Sequence, residues 1–248
     1  MNYINSMEPY TILAQNYDYL LRHVDYHEWY TYIKAVMHKH VPDPRLVLEL
    51  GCGTGRFGAK FSADNYRIYG MDRSLEMLKV AKTRAYKNYR VFCADMTAFH
   101  VAQKPDFIFS VHDTMNYLLE PMDIRMALRS VRDIMHDRSV FMFDITTEYN
   151  IYTYFNEKTM RYSVRDTEVE WSNTYNSDKR HVHSFLQFRH RNGTVSTEEH
   201  VQRIHTVEEI RQFLKEEGFT VREVLSDYSF LPPGPKTIMI NFIAGLNS

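Results

Sequence analysis

Strand-like and helix-like segments alternate along the chain from residue 46 to residue 144, and this alternation constrains the fold more than any other feature. The apolar runs that predict strands lie at 46–50, 67–71, 90–93, 106–111 and 139–144. The helical patterns between them lie at 56–63, 74–86 and 121–137. Because strands joined by helical crossovers pair in parallel, this order predicts a doubly wound, Rossmann-like α/β sheet.

The segments outside this region follow other patterns. Apolar residues recur at helical spacing over 10–40 and again over 206–217, where the pattern stops before Gly218. Between 158 and 205, runs of alternating polar and apolar residues predict three or four antiparallel strands. Two final strands, near 219–226 and 236–244, bring the expected sheet to seven strands, most of them parallel.

These patterns divide the chain into three parts. We expect an N-terminal helical cap over the active site at 1–44 and a ligand-binding core at 45–150 and 206–248. The antiparallel β insertion at 151–205 follows the fifth strand and is expected to be a substrate lid or a dimer surface. A monomer and a homodimer both remain open, because an insertion with an open strand edge can pair with a second copy.

The composition disfavours several classes of protein. The chain has 30 basic and 31 acidic residues, so no basic surplus points to nucleic acid or to an anionic membrane. No apolar run approaches the roughly 20 residues of a membrane span, and the N-terminus does not resemble a signal peptide, so we expect a cytoplasmic protein. Cys52 and Cys93 are expected to be small buried hydrophobes. His181 and His183 have no matching carboxylate or cysteine pattern, so no metal is expected.

The stretch VLELGCGTG places three glycines directly after the first predicted strand of the core. Gly51, Gly53 and Gly55 lack Cβ atoms, so the turn can be tight and its backbone can approach a ligand closely. The helix that begins near Arg56 presents free N–H groups to the same place, which suits a carboxylate or a phosphate.

Three acidic residues at the ends of strands narrow the choice of ligand. Glu49 comes just before the glycines, where a diphosphate would meet a like charge and an amine would gain a partner. Asp72 ends the second strand, where a carboxylate can accept both hydroxyls of a ribose. Asp95 follows the third strand, where it can accept the exocyclic amine of a base. A ribose, a purine and a cationic amino-acid end together describe S-adenosylmethionine (SAM).

The runs ELGCGTG, GMDRSLEML and CADM, in this order, resemble the class I SAM-dependent methyltransferases over residues 45 to 145. The opening ILAQNYDYL, the run HDTMNYL and the β-rich insertion resemble a bacterial subgroup of small-molecule methyltransferases that includes amino-sugar N-methyltransferases. The resemblance implies that SAM is bound and leaves as S-adenosylhomocysteine (SAH). The cofactor-binding residues it implies are Tyr17, Glu49, Gly51, Cys52, Gly53, Gly55, Asp72, Arg73, Met77, Asp95 and Met96.

Four further residues are candidates for contact with the methyl acceptor. Tyr10 lies in the segment that, in the resembled group, closes over SAM. His112, Asp113 and Asn116 follow the fourth strand, at the sheet edge where acceptor and methyl group meet. His112 is a candidate base or substrate contact, while turn residues are the alternative for Asp113 and Asn116. Trp29 is either a further site residue or a core residue.

These observations predict a SAM-dependent methyltransferase that acts on a small molecule, on nitrogen in preference to oxygen. A neutral amine needs mainly positioning, whereas an oxygen acceptor usually needs a base. Three alternatives stay open: a tRNA or other nucleic-acid methyltransferase, a non-catalytic SAM- or SAH-binding module, and an NAD-dependent oxidoreductase. The last rests on residues 53–58, which fit GxGxxG but begin two residues too late after the strand.

Overall fold

Residues 4–247, which the computed structural model describes, form a seven-stranded sheet and a separate five-stranded sheet. The strands of the first sheet are β2 (Leu46–Leu50), β3 (Arg67–Asp72), β4 (Tyr89–Cys93), β5 (Phe107–Ser110), β6 (Val140–Thr146), β11 (Phe219–Ser226) and β12 (Met239–Leu246). Their order across the sheet is β11-β12-β6-β5-β2-β3-β4. Only the pairings of β12 with β6 and with β11 are antiparallel, so the predicted doubly wound, mostly parallel sheet is confirmed.

The strand order reverses beside β2, which pairs in parallel with both β3 and β5. The helices that follow the neighbouring strands β2 and β5 lie on opposite faces of the sheet, so a crevice opens between the carboxyl ends of these two strands. The glycine turn follows β2 directly, so the topology places it in that crevice.

Helices cover both faces of the sheet, each with its own apolar core. On one face lie α2 (Tyr26–His40) and α3 (Arg56–Ala63); on the other lie α5 (Pro121–Ile134) and α7 (Val207–Glu216). Further short helices are α4 (Leu75–Arg84) after β3 and α6 (Glu148–Asn150) after β6. The start of α5 is encoded locally by Pro121 in its first turn and by a capping box between Glu120 and Asp123.

The β insertion and an N-terminal strand form the second sheet. Its strands are β1 (Ile4–Met7), β7 (Thr159–Val164), β8 (Thr167–Asn176), β9 (His181–His190) and β10 (Val195–Arg203). Their order across the sheet is β1-β10-β9-β8-β7. The last four form an antiparallel meander, whereas β1 joins in parallel beside β10. The N-terminus therefore contributes a strand to this sheet, where a helical cap was expected.

The expected cap at 1–44 divides into two units with different partners. The helix α1 (Leu13–Leu20) packs Leu13 and Leu20 against Leu186 and Phe188 of the second sheet. By contrast, α2 packs on the seven-stranded sheet and is part of the core. Of residues 4–44, those that line the cavity at the carboxyl ends of the central strands are Glu8, Pro9, Tyr10, Thr11, Tyr17 and, from α2, Tyr26.

Cys93 was predicted to be buried because it lies in an apolar run, and this prediction is wrong. Cys93 is exposed, while Cys52 is buried as expected. The difference arises because β4 is the edge strand of its sheet, and an edge strand has one side without a neighbouring strand.

Within residues 4–247, the longest apolar helices fall short of what crossing a bilayer requires.

Tyr89, the first residue of β4, fills the space behind the glycine turn. Its side chain is 2% exposed and lies against α3. A Cβ atom added at Gly58 would lie 2.5 Å from Cε2 of the Tyr89 ring, closer than carbon atoms can approach. The bare backbone of Gly58 therefore lets α3 lie close against β4, and with it the turn that holds the site.

We predict that Gly58→Ala destabilises the protein by about 1–3 kcal/mol, because the extra methyl group overpacks the core. In an open helix the same change normally stabilises by about 0.5–1 kcal/mol. Urea unfolding measures the free energy, and Ala59→Gly on the same helix is the control, with an expected loss of about 1 kcal/mol. A more stable Gly58→Ala variant would contradict the packing of Tyr89.

Candidate active site

A cavity of about 710 Å³ opens at the carboxyl ends of the central strands. Its volume lies within the range of small-molecule sites. The predicted site residues that line it are Tyr10, Tyr17, Glu49, Gly51, Cys52, Gly53, Asp72, Arg73, Met77, Asp95, Met96 and His112. Gly55, Asp113 and Asn116, from the same predicted set, are outside this lining.

The glycine turn is a cradle of bare backbone. Gly51 and Gly53 have φ angles of 67° and 52°, in the left-handed region that favours glycine. A Cβ at Gly51 would lie 2.9 Å from Oγ1 of Thr114, while a Cβ at Gly53 would meet no described atom within 4 Å. The backbone of Gly53 therefore faces open space in the cavity, where a ligand can approach it.

Glu49 is a buried carboxylate that lines the cavity with only 2% of its surface exposed. Among the described residues, nothing hydrogen-bonds to its Oε2 atom. Burial raises the pKa of Glu49 well above its ordinary value, because the charged form has lost its water. A positively charged amine bound beside the glycine turn would pair with this oxygen.

Asp72 holds the turn and faces the cavity at the same time. Its Oδ2 accepts a hydrogen bond from the Gly53 N–H and its Oδ1 accepts one from the Ser74 N–H, both at 2.8 Å. Burial raises the pKa of Asp72. Each carboxylate oxygen has a second lone pair, so Asp72 can also accept the two hydroxyls of a ribose.

Asp95 is bound by its own loop. Its Oδ1 accepts hydrogen bonds from the N–H and the hydroxyl of Thr97, at 2.8 and 2.7 Å. Partial burial acts to raise the pKa of Asp95, but these hydrogen bonds prevail and lower it. The carboxylate is therefore charged and oriented at the rim of the cavity, next to Met96.

Asp18 ties α1 to the glycine turn and was not among the predicted site residues. The hydroxyl of Thr54 donates to Asp18 at 2.8 Å, and the guanidinium of Arg84 pairs with the same carboxylate. Arg84 also donates to the Thr54 carbonyl at 2.6 Å. The acid follows Tyr17 directly in the run ILAQNYDYL, so the segment was identified but this residue was missed.

Asp144 holds the turn that carries His112. His112 and Asp113 have φ angles of 64° and 51°, an uncommon conformation for residues with side chains. The Asp144 carboxylate accepts both of their N–H groups, at 2.7 and 2.8 Å, and the hydroxyl of Tyr228. Burial and the nearby charge of Asp113 raise the pKa of Asp144 to about 7. Like Glu49, Asp144 lies near a strand's carboxyl end, a signal that sequence reasoning missed.

His112 reaches the cavity from this turn. Its Nδ1 atom lies 3.5 Å from the hydroxyl of Tyr17. Burial lowers the pKa of His112, so the neutral imidazole is favoured at neutral pH. Behind it, the ring of Trp29 meets His112 edge-on at 5.2 Å and stacks on Tyr228 at 4.0 Å. Trp29 therefore supports His112 by packing, which is the core alternative that the sequence left open.

Asn116 has a structural environment that does not fit the predicted contact with the acceptor. Its amide nitrogen donates to the Arg203 carbonyl at 2.7 Å, and its oxygen accepts from the Thr146 N–H at 3.0 Å. The side chain is fully buried, joining the two sheets. Asp113 accepts a hydrogen bond from Gln202 at 3.0 Å, so it too contacts the second sheet.

Gly55 serves the turn itself. It precedes α3 with a φ angle of 78°, and a Cβ there would lie 2.8 Å from the Tyr89 hydroxyl. Its position is explained by packing behind the turn. A direct contact with the ligand is not needed to account for it.

Comparisons with known proteins agree with this geometry. A family model described as a methyltransferase domain matches residues 47–138. The chain is 26% identical to the putative methyltransferase YqeM of Bacillus subtilis, over 95% of this chain and 96% of that protein. A SAM-dependent methyltransferase from Clostridium acetobutylicum has a solved structure that matches at a TM-score of 0.80 and 26% identity, covering 96% of this chain and 99% of that one. Residues 47–138 therefore form a methyltransferase domain.

The cofactor of this methyltransferase domain is SAM, as predicted, and the cavity fits it. The unpaired oxygen of Glu49 suits the ammonium of the amino-acid end, and the open backbone of Gly53 leaves room beside it. The sugar N-methyltransferase KedS8 from Streptoalloteichus shares the fold, with a TM-score of 0.78 at 16% identity over 94% of this chain and 93% of that one. The likeness of fold therefore extends beyond the seven-stranded sheet into the second sheet.

We predict that Asp72→Ala weakens SAH binding at least about tenfold, since hydrogen bonds to a charged group contribute about 1.5–3 kcal/mol. Calorimetric titration with SAH measures the affinity. Asp72→Asn keeps one oxygen for the turn and should weaken binding less. Equal affinities of both variants and the unmodified protein would show that Asp72 serves only the turn.

Asp144 generates a prediction with a defined pH dependence. Because folding raises its pKa from 3.8 to about 7, its contribution to stability is complete below about pH 4 and is lost as the pH rises through about 7. Asp144→Asn does not titrate, so the stability advantage of the unmodified protein over this variant should be larger near pH 5 than near pH 8. Urea unfolding at both pH values measures it, and an advantage that grows with pH would contradict the raised pKa.

Proposed function

We propose that the protein transfers the methyl group of SAM to the nitrogen of a small-molecule amine. The observation that carries this proposal is the charge of the cavity lining. Six acidic side chains line it, Glu8, Glu49, Asp72, Glu76, Asp95 and Asp123, against the two arginines Arg56 and Arg73. A surplus of carboxylates attracts cationic ligands and repels phosphates.

Aromatic side chains line the part of the cavity that the N-terminal segment covers. The rings of Tyr10 and Tyr17 meet edge-on at 6.1 Å, and Tyr117 and His112 lie beside them. Aromatic rings stabilise a nearby cation, and methyl transfer to an amine produces one. This wall therefore supports an amine as acceptor in preference to a hydroxyl.

The proposed roles follow from these positions. Bound SAM supplies an electrophilic methyl group on its sulfonium sulfur. In this proposal Glu49 and the glycine turn hold the amino-acid end, Asp72 the ribose, and Asp95 with Met96 the adenine. Tyr10, Tyr17 and His112 orient the amine and exclude water, and such positioning supplies a large part of the rate in a displacement.

The size of the cavity supports a small acceptor. Its volume of about 710 Å³ suits small ligands, whereas a polymer would reach it only with an inserted group. The negative lining also opposes a nucleic-acid backbone. Likeness of fold to a sugar N-methyltransferase makes amino sugars the first class of amine to examine.

The test is a screen with SAM carrying a deuterated methyl group, read by mass spectrometry. Glucosamine and other amino sugars, free and nucleotide-linked, are compared with their hydroxyl counterparts, such as glucose, and with total tRNA. We expect label on amines and none on the hydroxyl analogues or tRNA. Label on tRNA alone would overturn the proposal, and SAH binding without labelled product from any acceptor would favour a binding module.

His112→Asn supplies the matched variant for this screen. We predict about 100-fold slower turnover of the amine, because the side chain that orients it is shortened, with SAH affinity unchanged. Trp29→Phe changes only the packing behind His112 and should lose far less. Turnover and SAH titration on both variants separate contact with the acceptor from binding of the cofactor.

A further inference from the structure

A chain of four side chains leads from the cavity into the second sheet. The Tyr10 hydroxyl donates to the Tyr117 hydroxyl, which lies 3.2 Å from Nδ1 of His200. The Nε2 atom of His200 lies 3.0 Å from Oε2 of Glu198. Both tyrosines line the cavity, whereas His200 and Glu198 are 4% and 0% exposed. Within residues 4–247, the two tyrosine hydroxyls thus link the buried His200 ring to the cavity by hydrogen bonds.

The contacts of Glu198 set the direction of this chain. Its Oε2 atom accepts the backbone N–H of Tyr10, and its Oε1 atom accepts those of Ile12 and Leu13. Since both oxygens already act as acceptors, the Nε2 atom of His200 is the donor to Oε2 in this arrangement. With Nε2 as the donor, the Nδ1 atom of the ring can accept from Tyr117.

The same reasoning extends to the cavity end. Tyr117 donates to His200 and therefore accepts from Tyr10. Tyr10 donates to Tyr117 and keeps its oxygen lone pairs for a donor in the cavity. The two hydrogen bonds made by the tyrosine hydroxyls therefore point from the cavity towards His200, which is the arrangement needed to move a proton inwards.

We propose, on the basis of the function proposed above, that Tyr10, Tyr117, His200 and Glu198 form a relay that removes a proton from the incoming ammonium group of the acceptor. The ammonium proton passes to Tyr10 as the Tyr10 proton passes to Tyr117 and the Tyr117 proton passes to Nδ1 of His200. The products are a neutral amine, ready to take the methyl group, and an imidazolium paired with the Glu198 carboxylate. The imidazolium later returns its proton to water by the same path.

The two tyrosines act as conduits, and His200 holds the proton. Burial raises the pKa of Tyr10 and of Tyr117, so neither is a resting base. The titratable groups around the chain are Tyr17, which acts on Tyr10, Asp113, whose charge acts on both tyrosines, and Asp72, whose charge acts on Tyr117. His200 itself meets Tyr117, Glu198 and the edge of the Tyr10 ring, 4.6 Å away, while Ser184 lies opposite it on β9.

The second sheet supplies a matched control for this pair. His183 and Glu199 are also a histidine–glutamate pair, 2.9 Å apart. Their side chains are 41% and 58% exposed and they do not line the cavity. Replacing His183 therefore changes the same chemistry in the same sheet without touching the relay.

The first experiment measures turnover of glucosamine against pH in the full-length protein. We expect His200→Gln and Tyr117→Phe each to lower turnover about 100-fold near pH 7, the usual contribution of a positioned base, with SAH affinity unchanged. The deficit should shrink as the pH rises past the pKa of the amine, because the acceptor then arrives deprotonated. The double variant should be no slower than the slower single variant, since the residues act as one unit. His183→Gln should match the unmodified protein.

A deficit that is the same at every pH, or no deficit, would overturn the relay. The second experiment needs no acceptor: histidine nitrogen NMR on the SAH-bound protein near pH 7, with His200 assigned from its loss in His200→Gln. We expect a neutral ring protonated on Nε2. A proton on Nδ1 would overturn the relay even where turnover is absent, whereas a protein that methylates no amine but shows the expected ring state contradicts only the proposed function.

Discussion

The position of everything above the SAM site depends on one buried carboxylate, that of Glu198. It accepts three backbone N–H groups from the start of α1, and nothing of its surface is exposed. Removing such a partner would leave buried donors unpaired, at about 1–3 kcal/mol each. The N-terminal segment is therefore attached to the second sheet more firmly than its short apolar contact would suggest. Tyr10 and Tyr17 take their places over the cavity as a result.

A second carboxylate closes the same segment onto the core. Asp18 joins α1 to Thr54 and Arg84 beside the glycine turn. The N-terminal segment is thus attached at one end to the second sheet and at the other to the turn. Since both contacts are polar and only partly exposed, the segment covers the cavity without a large apolar interface.

Three buried acidic side chains hold the turns of the site or face its ligand. Asp72 and Asp144 use backbone N–H groups to hold the two turns that border the cavity, while Glu49 keeps an oxygen free for a ligand. Burial raises the pKa of all three, because each carboxylate has lost its water. A raised pKa favours the neutral acid, so a bound cation would favour the charged forms of Glu49 and Asp72, and both the cofactor and the proposed acceptor carry a cationic group.

The sequence by itself determined the fold of the core and the identity of the cofactor. Both are encoded locally: apolar runs set the strands of 46–144, the glycines follow a strand directly, and Asp72 ends the next one. The tertiary structure alone decided the contacts of the proposed acceptor side, where Tyr10 meets His200 across 190 residues of chain. The alternating pattern of β10 does not show which of its side chains meet Tyr10 and Tyr117, or that β1 would join beside it. The hydrogen bonds of Asn116 were not predictable for the same reason, since its partners at Thr146 and Arg203 are distant in sequence. Local patterns specify elements and their turns, but which buried polar groups meet depends on how separate elements pack.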